Sequence, residues 1–253
     1  LVVGERLGQR REMRGQFGIV GLGGGWAATR GQNLSLSPSL LARFRGYVAQ
    51  SGWLFLGVTT TELLTRFYAF AVAGWFGAAA LASLSATQLL LRPVPLLATS
   101  WSMVARGDLV RRKEAEDWRG FAWMVLAALA GGLVVAAGWA AVTHLLWPTI
   151  SALLFKGKYA EDGWMVALWG VSAALSLTQM VISTPLQVLR AFKSLALANT
   201  IASFAAAGAI LAAMKVYGYG GAIAGTAAGQ VVEVVVMGAM LVGAIRRERG
   251  SGG

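Results

Sequence analysis

The sequence predicts an all-α membrane protein with six transmembrane helices. Six apolar stretches of sufficient length fill most of the 253 residues, and about 20 apolar residues cross a bilayer as a helix. The chain is 57% hydrophobic and only 13% charged, whereas a soluble domain carries about 25% charged residues. Lysine and arginine also fall almost entirely on alternate sides of the apolar stretches, which favours an even number of crossings.

The apolar stretches are expected to be helices, because a helix satisfies its own backbone hydrogen bonds inside the bilayer. Glycine and tryptophan are abundant, with 33 and 10 residues, as is typical of membrane helices and of their ends. The predicted spans cover residues 46–70, 74–105, 117–147, 161–190, 192–216 and 219–245. They form one transmembrane domain, 46–247, which is followed by a short tail, 248–253.

The basic residues predict that both termini lie in the cytoplasm. Seventeen Lys and Arg residues fall on the side of the termini, and cytoplasmic loops carry the excess of positive charge. Only Lys156, Lys158 and Lys215 fall on the opposite side. The net charge of +11 is therefore attributed to membrane topology, and no nucleic acid partner is expected.

Residues 1–45 differ from the rest of the chain because they are rich in Gly and Arg. The apolar run at 17–28 is too short and too often interrupted by glycine to cross a bilayer. No signal-peptide cleavage site follows a suitable apolar core. We expect this segment to be cytoplasmic and poorly ordered, and the chain to be a fragment of a longer protein.

Four ionisable residues stand out within the predicted spans, namely Glu62, Arg66, Arg92 and Glu233. A charge at mid-bilayer costs at least a few kcal/mol, so each should face a protein interior or a wet cavity. Glu62 and Arg66 are four residues apart and can pair on one helix face, which would be a structural role. Arg92 has no acid on its own span, and the two prolines that follow it bend a helix. This context favours a translocation path.

Uncharged polar residues form stripes along several spans. Gln88 and Arg92 share one face of the second span, because residues three or four apart are neighbours on a helix. The fourth span carries the longest stripe, which includes Gln179 and Gln187, and the sixth adds Glu233. Such residues can simply hydrogen-bond packed helices together. Stripes on four or five spans, combined with an unpaired charge, favour a hydrophilic cavity.

The last span also carries a row of glycines at intervals of four. A small residue at every fourth position permits close contact between membrane helices, and we expect this row to serve packing. Its members are Gly221, Gly225 and Gly229.

No catalytic constellation is recognisable in the sequence. With one His and no Cys, it offers no cluster of metal ligands. The glycine run at 21–25 lacks the preceding strand and the acidic partner of a dinucleotide-binding fingerprint. We therefore expect neither enzymatic activity nor a metal or other cofactor.

Seven stretches, in their order and spacing, carry a resemblance to a known family. They are Glu62-Leu-Leu-Thr-Arg66, Gly74-Trp-Phe-Gly-Ala-Ala-Ala, Arg92-Pro-Val-Pro95, Arg111-Arg-Lys-Glu-Ala-Glu, Phe155-Lys-Gly-Lys-Tyr, Leu189-Arg-Ala-Phe-Lys193 and Gly218-Tyr-Gly-Gly-Ala-Ile-Ala-Gly225. With these, the chain from about Arg45 to Arg247 resembles the C-terminal half of bacterial polysaccharide flippases. Those proteins, often labelled lipopolysaccharide biosynthesis proteins, belong to the multidrug/oligosaccharidyl-lipid/polysaccharide exporter superfamily.

The resemblance implies one six-helix lobe of a two-lobe transporter that works by alternating access. It implies translocation of undecaprenyl-diphosphate-linked oligosaccharides across the bacterial inner membrane, for polysaccharide or lipopolysaccharide biosynthesis. The implied partners are the lipid-linked oligosaccharide, membrane lipids, and either a missing N-terminal lobe or a second copy of this chain.

On this hypothesis each polar residue has a role. An anionic headgroup would receive charge-assisted hydrogen bonds from Arg92 and Arg66. A coupling proton or cation would be taken up by Glu233 or Glu62. Sugar hydroxyls would be contacted by three glutamines, Gln88, Gln179 and Gln187.

Three alternatives stay open at the level of the sequence. A cation-coupled drug or metabolite antiporter of the same superfamily would need carboxylates within the membrane, and the spans offer two acids against two arginines. A flippase for lipid-linked peptidoglycan precursors is a second alternative. The third is a non-transporting membrane scaffold, whose helices would pack through glycine rows without a water path.

Overall fold

The computed structural model describes the backbone of residues 38–251 and the side chains of residues 66–250, together with Gly52, Phe55 and Thr59. The contacts divide the chain into two units, 1–46 and 47–253, and the fold below is that of the second unit. Residues 1–37 lie outside the described residues, so the expected poor order of this part of the N-terminal segment stays a prediction.

Every secondary-structure element of the described chain is helical, which confirms the all-α prediction. The α-helices are α1 (Pro38–Leu89), α2 (Pro93–Glu114), α3 (Trp118–Leu145), α4 (Trp147–Phe155), α5 (Gly163–Val188), α6 (Phe192–Tyr217) and α7 (Gly221–Ser251). Two short 3₁₀ turns complete the described elements, Ala160–Asp162 before α5 and Gly218–Gly220 between α6 and α7.

Four segments of the described chain are long and apolar enough to cross a membrane, as in a multi-pass membrane protein. They are Arg66–Leu89, Trp118–Leu145, Ala160–Val188 and Phe192–Gly250. Large apolar side chains project from these helices, and Trp123, Val134 and Phe204 are each about 70% exposed. An apolar surface of this kind suits contact with lipid.

Helix α1 reverses direction at Gly77. This residue has φ 82° and ψ 174°, a conformation that is readily available only to glycine. The hydroxyl of Tyr68 donates to Oε1 of Gln88 at 3.2 Å, although 20 residues of straight helix would span about 30 Å. The two arms of α1 therefore fold back towards each other. The first turn lies at Gly77 and not at 71–73, where the predicted spans place it, because the apolar run continues through the reversal.

A second break separates α1 from α2 within the predicted second span. Pro93 has no N–H group, so the helix cannot continue with its regular hydrogen bonds. The N–H of Val94 bonds to the carbonyl three residues earlier instead of to that of Leu90. The freed carbonyl of Leu90 accepts from Nε1 of Trp139 on α3, at 2.8 Å. The predicted bend is present, and its freed carbonyl is satisfied within the bundle, as the interior of a membrane requires.

Helices α6 and α7 pack closely along the glycine row, as the sequence predicts. A Cβ atom at Gly225 would lie 2.4 Å from Cα of Ile210, and one at Gly229 would lie 2.2 Å from Cβ of Ala206. These pairings run in opposite directions along the two helices, which are therefore antiparallel. Helix α5 packs against α2, α3 and α7, so it occupies the centre of the described bundle.

Polar contacts join the C-terminal ends of α2, α5 and α7. Nζ of Lys113 lies 3.0 Å from Oε1 of Glu248, and Nη2 of Arg106 donates to Oε1 of Gln187 at 2.8 Å. The basic loop after α2 and the basic tail therefore share one end of the bundle, as the predicted topology requires. The opposite end of the bundle contains Asp162, which directly precedes the first residue of α5.

Candidate functional site: a polar cavity between the helices

A cavity of about 310 Å³ lies between α1, α2, α5, α6 and α7. Its volume is at the lower end of the range for small-molecule sites, about 300–1,000 Å³. Its polar and aromatic lining residues are Tyr68, Gln88, Arg92, Trp169, Ser172, Ser176, Gln179, Ser203, Thr226, Gln230 and Glu233. Four of the seven residues that the sequence predicts for the site therefore line one cavity: Gln88, Arg92, Gln179 and Glu233.

Arg92 supplies positive charge to the cavity. It lies in the turn before Pro93, where the helix is broken, and its side chain is exposed. Its backbone N–H bonds to the carbonyl of Leu89, but among the residues that the structure describes none forms a hydrogen bond or an ion pair with its guanidinium. A guanidinium group has five N–H donors and no acceptor, so these donors remain available to a ligand.

Glu233 is, in contrast, satisfied by its neighbours. Nε2 of Gln179, on α5, donates to Oε2 of Glu233. With its amide nitrogen facing the acid, Asn199 on α6 donates to Oε1 of Glu233 and to the carbonyl of Leu195, at 3.1 Å each. The carboxylate on α7 therefore receives a hydrogen bond on each oxygen. Three helices meet at this cluster, which forms part of the cavity wall.

A second polar cluster joins α5 to α7. Oγ of Ser172 donates to Oε1 of Gln230 at 2.8 Å, and Nε2 of Gln230 donates to Oγ of Ser176 at 2.7 Å. Because both ends of the Gln230 amide are used within the protein, this cluster fixes the spacing of the two helices. It confirms that some residues of the predicted stripes hydrogen-bond helices together, while the cavity lies beside them.

Two aromatic side chains line another part of the wall. The rings of Tyr68 and Trp169 meet edge to face, with centroids 6.0 Å apart and planes at 63°. Neither residue is among the predicted site residues, because tryptophan and tyrosine in a membrane protein are expected at helix ends. A signal was nevertheless present, since Trp169 continues the stripe of Ser172 and Ser176 at helical spacing.

The three other predicted site residues do not line this cavity. Gln187 lies on the same face of α5 but nearer the basic end, where its side chain accepts from Arg106. Arg66 is exposed on α1 and is not among the lining residues. The side chain of Glu62 lies outside the described residues, and so does its predicted pairing with Arg66. In the described region, no group of three His or acidic side chains could hold a metal ion.

The fold and the cavity define a class of protein: an all-α protein with helices suited to cross a membrane and a polar cavity between them. Of its two charged lining residues, Glu233 is hydrogen-bonded by neutral amides, whereas the guanidinium of Arg92 has no hydrogen-bond or ion-pair partner among the described residues. No family model, no curated protein and no solved structure matches the chain. The particular function is therefore inferred from the geometry of the cavity, together with the sequence resemblance.

Proposed function

We propose that this chain is part of a transporter that moves an anionic, lipid-linked oligosaccharide across the bacterial inner membrane. The observation that carries the proposal is the unpaired Arg92 on the wall of a polar cavity between membrane-spanning segments. The substrate class, undecaprenyl-diphosphate-linked oligosaccharide, is the one that the sequence resemblance implies. Both termini, with the basic end of the bundle, would lie in the cytoplasm.

A diphosphate headgroup cannot cross hydrocarbon unaided, because a charge at mid-bilayer is costly. The guanidinium of Arg92 can offset that cost with charge-assisted hydrogen bonds, which are about twice as strong as neutral ones. Gln88 lies beside it on the cavity wall and can bond to sugar hydroxyls. The isoprenoid tail would remain in the lipid outside the bundle.

The size of the cavity supports the need for a further component. At about 310 Å³, it lies at the low end of the range for small-molecule ligands. It suits the diphosphate and the first sugar better than a whole oligosaccharide. A second lobe or a second copy of this chain would supply the remaining space, as expected of a transporter with two lobes.

A cation-coupled antiporter of the same superfamily is the second candidate, and the cluster around Glu233 favours it. Gln179 and Asn199 could rotate their amides and present carbonyl oxygens, so that three side chains would contribute oxygen ligands. In the observed arrangement, however, the carboxylate is already satisfied by N–H groups, whereas Arg92 is not. In the flippase we assign to Glu233 the coupling of transport to a proton or cation.

The first test asks whether water enters the cavity. The chain contains no cysteine, so Gln88→Cys and Gln179→Cys each create a single thiol for a membrane-impermeant methanethiosulfonate reagent. Both thiols should react in native membranes. Ile201→Cys is the matched control, because Ile201 is 65% exposed on the outer face of α6 and should contact lipid. If neither cavity thiol reacts with the reagent, the result favours the non-transporting membrane scaffold.

The second test measures the predicted substrate role of Arg92. Proteoliposomes that contain the full chain, alone or joined to a second copy, would be loaded with a fluorescent prenyl-diphosphate oligosaccharide, and translocation would be followed by quenching. Arg92→Ala should slow translocation at least about tenfold, as expected for the loss of a hydrogen bond to a charged group. Arg111→Ala, at an exposed arginine beside Asp108, is the control. An unchanged rate for R92A would exclude the proposed headgroup site.

A further inference from the structure

The indole of Trp169 is an unusual feature of the cavity wall. The residue is only 4% exposed, and its Nε1 atom is buried without a hydrogen-bond partner in the described part of the chain. Buried tryptophan N–H groups normally have a partner. Another buried tryptophan of this bundle does, since Trp147, 1% exposed, donates to the carbonyl of Tyr159 at 2.9 Å.

Tyr68 packs against this indole. Its ring meets that of Trp169 edge to face, and its hydroxyl makes one hydrogen bond, to Gln88, at 3.2 Å. Tyr68 lies on the first arm of the α1 hairpin, which has few close backbone contacts with the other helices, as far as its described residues show. This half-buried side chain is held on the wall by one neutral hydrogen bond and by its aromatic contact with Trp169, each worth about 1 kcal/mol.

We propose that Trp169 is a ligand-binding residue of the cavity, uncovered when Tyr68 turns away from it. The freed indole N–H donates to a diphosphate oxygen of the headgroup that Arg92 binds. This inference rests on the proposed function, because it assumes an anionic ligand. It accounts for an unpaired donor beside an unpaired cation, and both select for oxygen acceptors.

The inference also assigns a role to the bond between Tyr68 and Gln88. While this bond is formed, Tyr68 shields Trp169 and occupies the amide oxygen of Gln88. When the ligand enters, both groups become available to it together. The uncovering of the site is thus driven by the affinity of the ligand for the open arrangement.

The experiment uses the full chain in detergent micelles. Two probes are titrated in a calorimeter: inorganic pyrophosphate, and a short-chain prenyl diphosphate that carries one hexose. Trp169→Phe should weaken the binding of both probes about tenfold, because one hydrogen bond to a charged group is lost. Tyr68→Phe should tighten binding about fivefold, because it removes the bond that holds the cover in place. Trp123→Phe, on the lipid-facing surface, should bind as the wild type does.

Nitrogen-15 labelling of tryptophan provides a readout that a merely structural role would not move. The 10 indole N–H groups give separate signals, and the signal missing from Trp169→Phe belongs to Trp169. Adding pyrophosphate should shift that signal downfield, as a new hydrogen bond does, and leave the signal of Trp147 in place. If the chemical shift of the Trp169 signal does not change at saturating pyrophosphate, the inference is overturned.

The outcomes separate this inference from the proposed function. Wild-type affinity in Trp169→Phe, with binding lost in Arg92→Ala, would overturn the role of Trp169 and leave the proposed function standing. Undiminished binding by Arg92→Ala would overturn the proposed function itself. If Trp169→Phe does not fold, the Tyr68→Phe variant decides, because unchanged or weaker binding there contradicts the idea of a cover.

Discussion

Replacement of Gly225 by alanine tests the close packing of α6 and α7. A Cβ at this position would lie 2.4 Å from Cα of Ile210 and 2.5 Å from its backbone nitrogen, which is about 1 Å inside normal contact between such atoms. Both are backbone atoms, so no rotamer change relieves the clash and the helices must separate. We expect the free energy of unfolding to fall by about 2–3 kcal/mol, towards the upper end of the range for overpacked cores.

Gly238 offers a matched control on the same helix. An added Cβ there meets no atom within 4 Å, and alanine is the better helix former by about 0.5–1 kcal/mol. The two alanine variants should therefore differ by about 2.5–4 kcal/mol. Unfolding in mixed micelles of increasing dodecyl sulfate content, followed by tryptophan fluorescence, measures this difference. Equal stabilities would refute the close approach of α6 and α7, and with it the position of Gly229 on the cavity wall.

Two further substitutions test the break in the second span and the start of α3. Trp139→Phe leaves the carbonyl of Leu90 without its donor, and the same unfolding titration should show a loss of about 1–3 kcal/mol; wild-type stability would contradict the assigned bond. Asp117 accepts from the N–H of Gly120 at 2.9 Å and pairs with Arg112, and these two contacts, the first being the larger, hold the pKa of Asp117 below its ordinary value. Its stabilising effect is therefore complete above the unfolded pKa of about 3.9 and is lost as the pH falls through the lower folded pKa. In Asp117→Asn the melting temperature should depend less on pH between about pH 5 and about pH 3 than in the wild type. An unchanged pH dependence would count against the contacts of Asp117.

The helical fold could be predicted from apolar length and periodicity, and the predicted spans 192–216 and 219–245 place the turn between α6 and α7 correctly, whereas the turn at Gly77 was misplaced. Two reversals lie inside continuous apolar runs, at Gly77 and at Gly218–Gly220, and the last two helices appear as one segment of 59 residues by hydropathy. What marks these turns is backbone conformation, since Gly77 and Gly218 both have positive φ. Other glycines in the same helices are helical, so residue type alone does not distinguish a turn.

The candidate site could be predicted in part, because spacing fixes the face of a helix but not the depth along it. Gln179 and Gln187 share one stripe on α5, yet only Gln179 reaches the cavity, and Gln187 accepts from Arg106 near the basic end. Gln88 and Arg92 share a face and also a depth, and both line the cavity. The role of each of these residues in binding a ligand remains a prediction that the labelling and translocation experiments test.

The sign of the charge in the cavity depends on pairing between helices and cannot be obtained from composition. Two acids and two arginines within the predicted spans leave an anion site and a cation site equally plausible. In the folded chain the two groups differ, because Gln179 and Asn199 donate to Glu233 from two other helices, while the guanidinium of Arg92 has no hydrogen-bond or ion-pair partner among the described residues. Neutral amides thus satisfy the acid without neutralising the base. The guanidinium of Arg92 is therefore the charged group of this cavity whose hydrogen-bond donors are available to a ligand.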